Sequence, residues 1–241
     1  MKNSIKELSK TLLIAGSIAI FFRSIFFEPF NIPSGSMIPT LLVGDYLFVS
    51  KYSYGYSKYS FPFGLVPIKD RIFEKSPQRG DVIVFRKPGD ETIDYIKRLV
   101  ALPNDTVQVK AGVLYINSKK TQRTKTNIGI MKNIFGDEKI FTQYEETFGN
   151  SKTYQIIESS DNDPFDDTIL FKVPPNHFFF MGDNRDNSRD SRTPEVGFVP
   201  KKNLIGKAEI IFFSHNSSAS IFEFWKWHKA IRFSRIGKAI E

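Results

Sequence analysis

The chain has 241 residues, enough for one or two domains, and 41% of them are apolar, so it can bury a real core. It has no cysteine, which excludes disulfides, thiolate metal sites and a cysteine nucleophile, and its three histidines (His177, His215, His228) are too far apart in sequence to suggest a histidine metal site. The 34 basic residues exceed the 26 acidic ones for a net +8, which points to an anionic partner, either nucleic acid or a membrane surface.

The N-terminus chooses between these. Lys2, Lys6 and Lys10 precede an apolar run, Thr11–Phe22, which Arg23 interrupts and Ser24–Phe27 continues. Leu8–Phe27 is twenty residues, about 30 Å as a helix and so one bilayer core. A cleavable signal peptide has a similar run, but no small-x-small site follows here. Phe21, Phe22, Phe26 and Phe27 are all bulky, so the expectation is an uncleaved anchor. Arg23 can snorkel toward an interface. The lysines ahead of the helix put the N-terminus in the cytoplasm and everything from Glu28 onward on the far side. That remainder stays basic, which suits anionic lipid headgroups. The basic residues gather on no known nucleic-acid motif.

The rest reads mostly as β. Tyr46–Lys51, Val82–Phe85, Tyr95–Leu102, Thr106–Lys110 and Val113–Asn117 are rich in Val, Ile and aromatics. Turn signals separate them, among them Gly44-Asp45, Gly80-Asp81, Pro88-Gly89, Pro103-Asn104 and Ala111-Gly112. Thr106–Lys110 and Val113–Asn117 form a predicted hairpin. Thr153–Glu158, Ile169–Val173, His177–Met181 and Ala208–Phe213 are later predicted strands. Helices do not alternate with strands, so a parallel α/β sheet is not expected. Tyr52–Phe63 reads as an exposed loop, and Ser118–Asn150 as polar and irregular.

Three segments could carry chemistry. Ile32–Leu41 (IPSGSMIPTL) is a stiff loop, fixed by two prolines and a glycine, that can present a serine and leave backbone N–H groups free. Locally it reads first as a juxtamembrane linker, with a catalytic serine as the alternative. In Asp94–Val100, strand alternation puts Lys97 on one face with Tyr95 and Leu99, and Arg98 on the other with Ile96 and Val100. A buried Lys97 would lose favour for its charged form and could then deprotonate a serine; the ordinary alternative is a snorkelling lysine. Gly182–Arg192 (GDNRDNSRDSR) follows an apolar strand. Read as a calcium loop it fails, because Ser191 stands where glycine is needed and Gly197 where glutamate is needed. A solvated loop or an internal hydrogen-bonded network remains.

Together, in this order and behind an N-terminal anchor, these segments resemble bacterial type I signal peptidase (leader peptidase). A fourth box, Arg79–Phe85 (RGDVIVF), lies between the first two. The resemblance implies a Ser/Lys serine endopeptidase that removes signal peptides after small residues, Ala-x-Ala in type, with no cofactor and no metal. It implies Ser36 as nucleophile and Lys97 as general base. Ser34 and the Ser36 backbone N–H would form the oxyanion hole, and Ser188 would orient Lys97. Asp183, Asp190 and Arg192 would support the site, with Asp190 and Arg192 paired. Phe30, Ile32, Leu41, Tyr95 and Ile96 would line shallow substrate pockets, with substrate added as a strand beside Tyr95–Lys97. The implied partners are signal-peptide-bearing pre-proteins and membrane lipids, with no nucleic acid and a monomeric enzyme. The implied location is the inner membrane, crossed once, with the catalytic domain periplasmic. Ala101 and Asn104 stand where the family often has glycine, and well-known members often carry two spans.

The expected architecture is mainly β: a single transmembrane helix, then an antiparallel, barrel-like catalytic sheet with a small β insert. Residues 1–27 would be the cytoplasmic tip and anchor, 28–105 and 176–220 the catalytic core, and 106–175 the insert. Residues 221–241 form a basic aromatic tail, read either as packed on the core or as lying in the headgroup region. Two other functions fit the sequence: a narrow-specificity processing peptidase of the same fold, or a non-enzymatic anchored β-domain that binds peptides.

Overall fold

The N-terminal apolar run forms α1, Lys2–Ile25. Within it, Ile5–Ile25 is the one helix among the described residues that is long and apolar enough to cross a membrane. The computed structural model describes residues 2–61, 66–132, 138–148, 152–220 and 222–241. Phe27, expected in the helix, instead begins the first strand and pairs with Ser50. Pro29 lacks an N–H and biases Glu28 toward extended backbone, so the helix stops before it.

Among the described residues fourteen strands follow: β1 (Phe27–Asn31), β2 (Asp45–Ser50), β3 (Val82–Lys87), β4 (Asp90–Ala101), β5 (Thr106–Lys110), β6 (Val113–Ile116), β7 (Lys119–Lys120), β8 (Gln122–Lys132), β9 (Glu138–Thr147), β10 (Thr153–Glu158), β11 (Phe171–Lys172), β12 (His177–Met181), β13 (Val199–Pro200) and β14 (Leu204–Ser214). The fold is mainly antiparallel β. The main sheet runs β1-β2-β14-β3-β4-β12-β13, and two smaller sheets run β10-β9-β8 and β11-β5-β6-β7.

Period-two alternation makes the main sheet apolar on both faces. Val82 and Val84 of β3 join Met37, Leu41, Leu47, Val49 and Ile211 in one cluster. Ile83 and Phe85 join Leu99, Phe178, Phe180 and Leu204 in another. A third cluster, with Val100, Val107, Leu114, Tyr154, Ile156 and Phe179, fills the space between this sheet and the smaller two. The predicted β5–β6 hairpin turns through Ala111 and Gly112, both at positive φ (45° and 70°), the geometry that matches strand twist. Asn104 sits at φ 72°, so it adopts the left-handed backbone that a family glycine would favour.

Two expectations need correction. The described residues of 118–150 are not irregular: β8 and β9 form a long antiparallel ladder from Gln122↔Thr147 to Lys132↔Glu138. Tyr52–Phe63 is not simply exposed. Tyr54, Ser57 and Ser60 are buried, Tyr54 Oη donates to Asp81 (2.9 Å) and Lys51 Nζ to the Ser60 carbonyl (2.6 Å). Pro62 and Phe63 lie outside the described residues. The tail divides in two. Phe222, Phe224 and Trp225 are exposed, whereas Ala230 and Ile240 are buried and Ala239 bridges to Ile210. Ile221 lies outside the described residues.

Candidate active site

The loop from Ile32 to Gly44 has two prolines and little ladder of its own, so it is held from outside. Met37 and Leu41 plug it into the core. The Asn184 backbone N–H donates to the Ser36 carbonyl (3.1 Å), and the Asn184 side-chain amide to the Gly35 carbonyl (3.0 Å). Thr40 Oγ1 donates to Asp183 (2.5 Å). Gly44 closes the loop at φ 86°, where a Cβ would lie 2.2 Å from the His215 carbonyl oxygen.

This loop sets Ser36 against β4. Lys97 Nζ donates to Ser36 Oγ at 2.7 Å and to the Ile96 carbonyl at 2.9 Å. It lies 5.2 Å from the centre of the Tyr95 ring, as strand alternation requires. Lys97 is 5% exposed. Burial pushes its amine down to about 8, although the Asp190 and Asp183 carboxylates pull the other way.

Ser34 Oγ lies 3.4 Å from Ser36 Oγ, and the Ser36 backbone N–H has no acceptor among the described residues. Asp190 pairs with Arg192 (2.9 Å) and accepts from the Gly182 N–H (2.9 Å). Asp183 is bound by Arg98, at 2.8 Å from Nε and 2.7 Å from Nη2. Ser188 is buried beside Gly182, where a Cβ would come within 2.2 Å of the Ser188 hydroxyl and 2.5 Å of the Ser36 carbonyl oxygen. The expected Ser188–Lys97 bond is not made: Ser188 Oγ has no partner among the described residues.

A cleft of about 530 Å³ opens over the pair, lined by Phe30, Ile32, Ser34, Tyr95 and Ile96 among others. Leu41 does not line it. It is fully buried in the core behind the loop, because the Met37–Leu41 turn points it inward. On β4, β12 pairs no further than Arg98, so the edge of Ile93–Lys97 that faces the cleft is open among the described residues.

Strand alternation alone did not reveal Arg98, Thr40 or Asn184 as parts of this site. For Arg98 a signal existed: it shares its strand face with the apolar Ile96 and Val100, and a cation buried there needs a carboxylate. For Asn184 nothing in its neighbours marks which backbone it meets.

A hydroxyl beside an amine that loses its proton near neutrality, next to an open strand edge, can attack an amide held as an added strand. That is chemistry available to a serine peptidase. A family model described as signal peptidase, peptidase S26, matches residues 5–213. Signal peptidase I of Rickettsia typhi is 42% identical over 92% of this chain and 88% of its own. That of Rickettsia conorii is 45% identical over 82% and 75%. A signal peptidase I crystal structure from Enterococcus faecalis V583 covers 55% of this chain and 97% of its own at 25% identity, with a TM-score of 0.32. The chain belongs to the signal peptidase family, peptidase S26, and is a serine peptidase.

Proposed function

We propose that the protein removes N-terminal signal peptides from exported pre-proteins, with Ser36 as nucleophile and Lys97 as general base. The observation that carries this reading is the 2.7 Å bond between the buried Lys97 amine and the Ser36 hydroxyl. Neutral Lys97 takes the hydroxyl proton as Ser36 Oγ attacks the scissile carbonyl. The oxyanion accepts from the Ser36 N–H and the Ser34 hydroxyl. Lys97 passes its proton to the leaving amine, then activates the water that frees the acyl group. Lys97 carries every proton, so the scheme calls for no cofactor. Ser188 Oγ, without a partner among the described residues, turns to Lys97 once Lys97 is charged.

Substrate lies extended along the open edge of Ile93–Lys97. Phe30, Ile32, Tyr95 and Ile96 narrow the cleft, which favours small residues before the cut, as in Ala-x-Ala. α1 crosses the membrane once, with the N-terminus cytoplasmic and the catalytic domain periplasmic. The enzyme acts as a monomer in contact with lipid. Residues 28–105 and 176–220 form the catalytic core and 106–175 an insert. The test is to incubate the purified protein in detergent with a pre-protein. The mature N-terminus should appear with wild type and not with Ser36→Ala; cleavage by folded Ser36→Ala overturns the reading.

A further inference from the structure

The sheet β8–β10 packs against the segment 183–187, which holds the Ser36 loop, and touches it at three places. The Ile157 N–H of β10 donates to the Asp183 carbonyl (2.9 Å). The Ser159 and Ser160 N–H groups donate to the Asp186 carboxylate (2.5 and 3.3 Å). Between these, Glu146 of β9, fully buried, takes both terminal nitrogens of Arg185 in a forked ion pair. Tyr154 of β10 donates its hydroxyl to the same carboxylate and lays its ring 4.2 Å from the Arg98 guanidinium, which grips Asp183. Burial opposes the charge on Glu146, but the Arg185 guanidinium still holds its carboxyl below the ordinary range.

Arg185 directly follows Asn184, the residue whose backbone N–H and side-chain amide hold the Ser36 and Gly35 carbonyls. The Arg185 carbonyl also accepts from Arg192 (2.5 Å), which pairs with Asp190. A fork with two parallel bonds fixes direction as well as distance. Arg185 is thus a pivot: its side chain is set by Glu146, and its backbone sets the loop that carries Ser36.

We propose that Glu146, from a sheet whose described residues do not line the cleft, is a positioning residue for the nucleophile: it acts through Arg185 and Asn184 on the placement of Ser36. This rests on the reading of Ser36 as nucleophile.

The experiment compares Glu146→Gln, the double variant Glu146→Gln/Arg185→Met, Tyr154→Phe and Ser36→Ala in the full-length protein with a peptide substrate. It measures thermal melting, kcat, KM and the pH midpoint of kcat. Breaking one partner of a buried pair destabilises, but replacing both with neutral side chains is often tolerated. The double variant should therefore melt close to wild type, while its kcat falls about 10- to 100-fold, the scale of a misplaced reacting group. KM and the pH midpoint should hold, because Lys97 still titrates as before. Tyr154→Phe, which keeps the ring against Arg98 and loses one bond to Glu146, should show a smaller loss of the same kind. The proposal is overturned if the folded double variant keeps wild-type kcat, or if the loss in every variant merely follows the fraction unfolded. Should the double variant not fold, unchanged kcat in Tyr154→Phe overturns it. Activity in folded Ser36→Ala would instead remove the nucleophile assignment, a separate failure.

Discussion

Lys97 and Arg98 are neighbours on β4, both cationic and both buried, yet the two faces of the strand treat them oppositely. Arg98 meets Asp183, the Gly80 carbonyl (2.7 Å) and the Tyr154 ring. Although burial opposes its charge, Asp183 keeps it firmly protonated. Lys97 meets a hydroxyl and a carbonyl, and no carboxylate bonds it directly. Burial therefore prevails, and its amine falls to about 8. A buried cation given a carboxylate partner keeps its proton; one denied it gives the proton up more readily.

The largest effect should separate the two faces outright. Lys97→Ala and Ser36→Ala should each reduce cleavage by several orders of magnitude in folded protein, and the double variant should be no worse, because the two act as a unit. Lys97 should also cost stability. Its folded pKa lies below the unfolded value of 10.5, so the unfolded state binds more protons between about pH 8 and 10.5, and stability rises with pH across that window. Below pH 8 the cost is about 3 kcal/mol. Lys97→Met should therefore melt above wild type at pH 7 while inactive. A lower melting temperature would mean that the charge is well accommodated and the contrast with Arg98 false.

On the other face, Asp183→Asn should destabilise the fold by about 3–5 kcal/mol, since it leaves Arg98 buried and unpaired. Denaturant titration measures this, and a loss under about 1 kcal/mol would show that water compensates Arg98. Ser34→Ala belongs with Lys97: melting should hold while kcat falls about 10²–10³-fold, the usual loss for an oxyanion donor. A change confined to KM would make Ser34 a substrate-binding residue. The pH profile comes next in size. With chemistry limiting, kcat should rise about tenfold per pH unit below the Lys97 midpoint and level off above about 8. A flat profile from pH 6 to 9 would exclude a lysine base.

The two faces of β4 were not equally legible in the sequence. Period-two alternation put Lys97 beside Tyr95, and the boxes around Ser36, Lys97 and Gly182 marked the segments that meet. Alternation cannot say which distant carboxylate answers Arg98. β8 and β9 were missed for a related reason. Their residues are mostly Thr, Lys, Gln, Asn and Glu, and Ile128, Ile130 and Ile140 are exposed, so neither face carries a continuous apolar stripe. The ladder between the two strands holds them, and Gly129 makes room for the Phe141 ring opposite. Tyr54 misled in the other direction: a Tyr/Ser/Gly stretch looks solvated until its hydroxyl finds a buried carboxylate such as Asp81. Leu41 could be placed near the serine but not turned, because strand alternation does not apply in the Met37–Leu41 turn.

The smallest expected effect concerns the tail, where cations held by a buried carboxylate contrast with cations at the surface. Arg232 and Arg235 are committed to Asp45, and Arg235 also holds the Thr40 carbonyl (2.9 Å). Lys226 and Lys229 are exposed beside Phe222, Phe224 and Trp225, and Lys226 makes only a surface pair with Glu223 (2.5 Å). Only this upstream half fits a headgroup layer, with aromatics at the interface and lysines toward anionic lipid. Truncation at residue 220 is a poor test, because it also removes Ile240 from the core. The better test replaces Phe222, Phe224 and Trp225 with Ser in protein lacking residues 1–25, a cut that spares β1. Unsubstituted protein should bind anionic vesicles at low salt and release as salt rises. The triple variant should bind weaker by about tenfold or more, since each buried aromatic contributes about 1.5–3 kcal/mol, and cleavage of a soluble peptide should stay unchanged. If unsubstituted protein ignores the vesicles, or the triple variant binds as well, these aromatics are exposed for some purpose other than lipid.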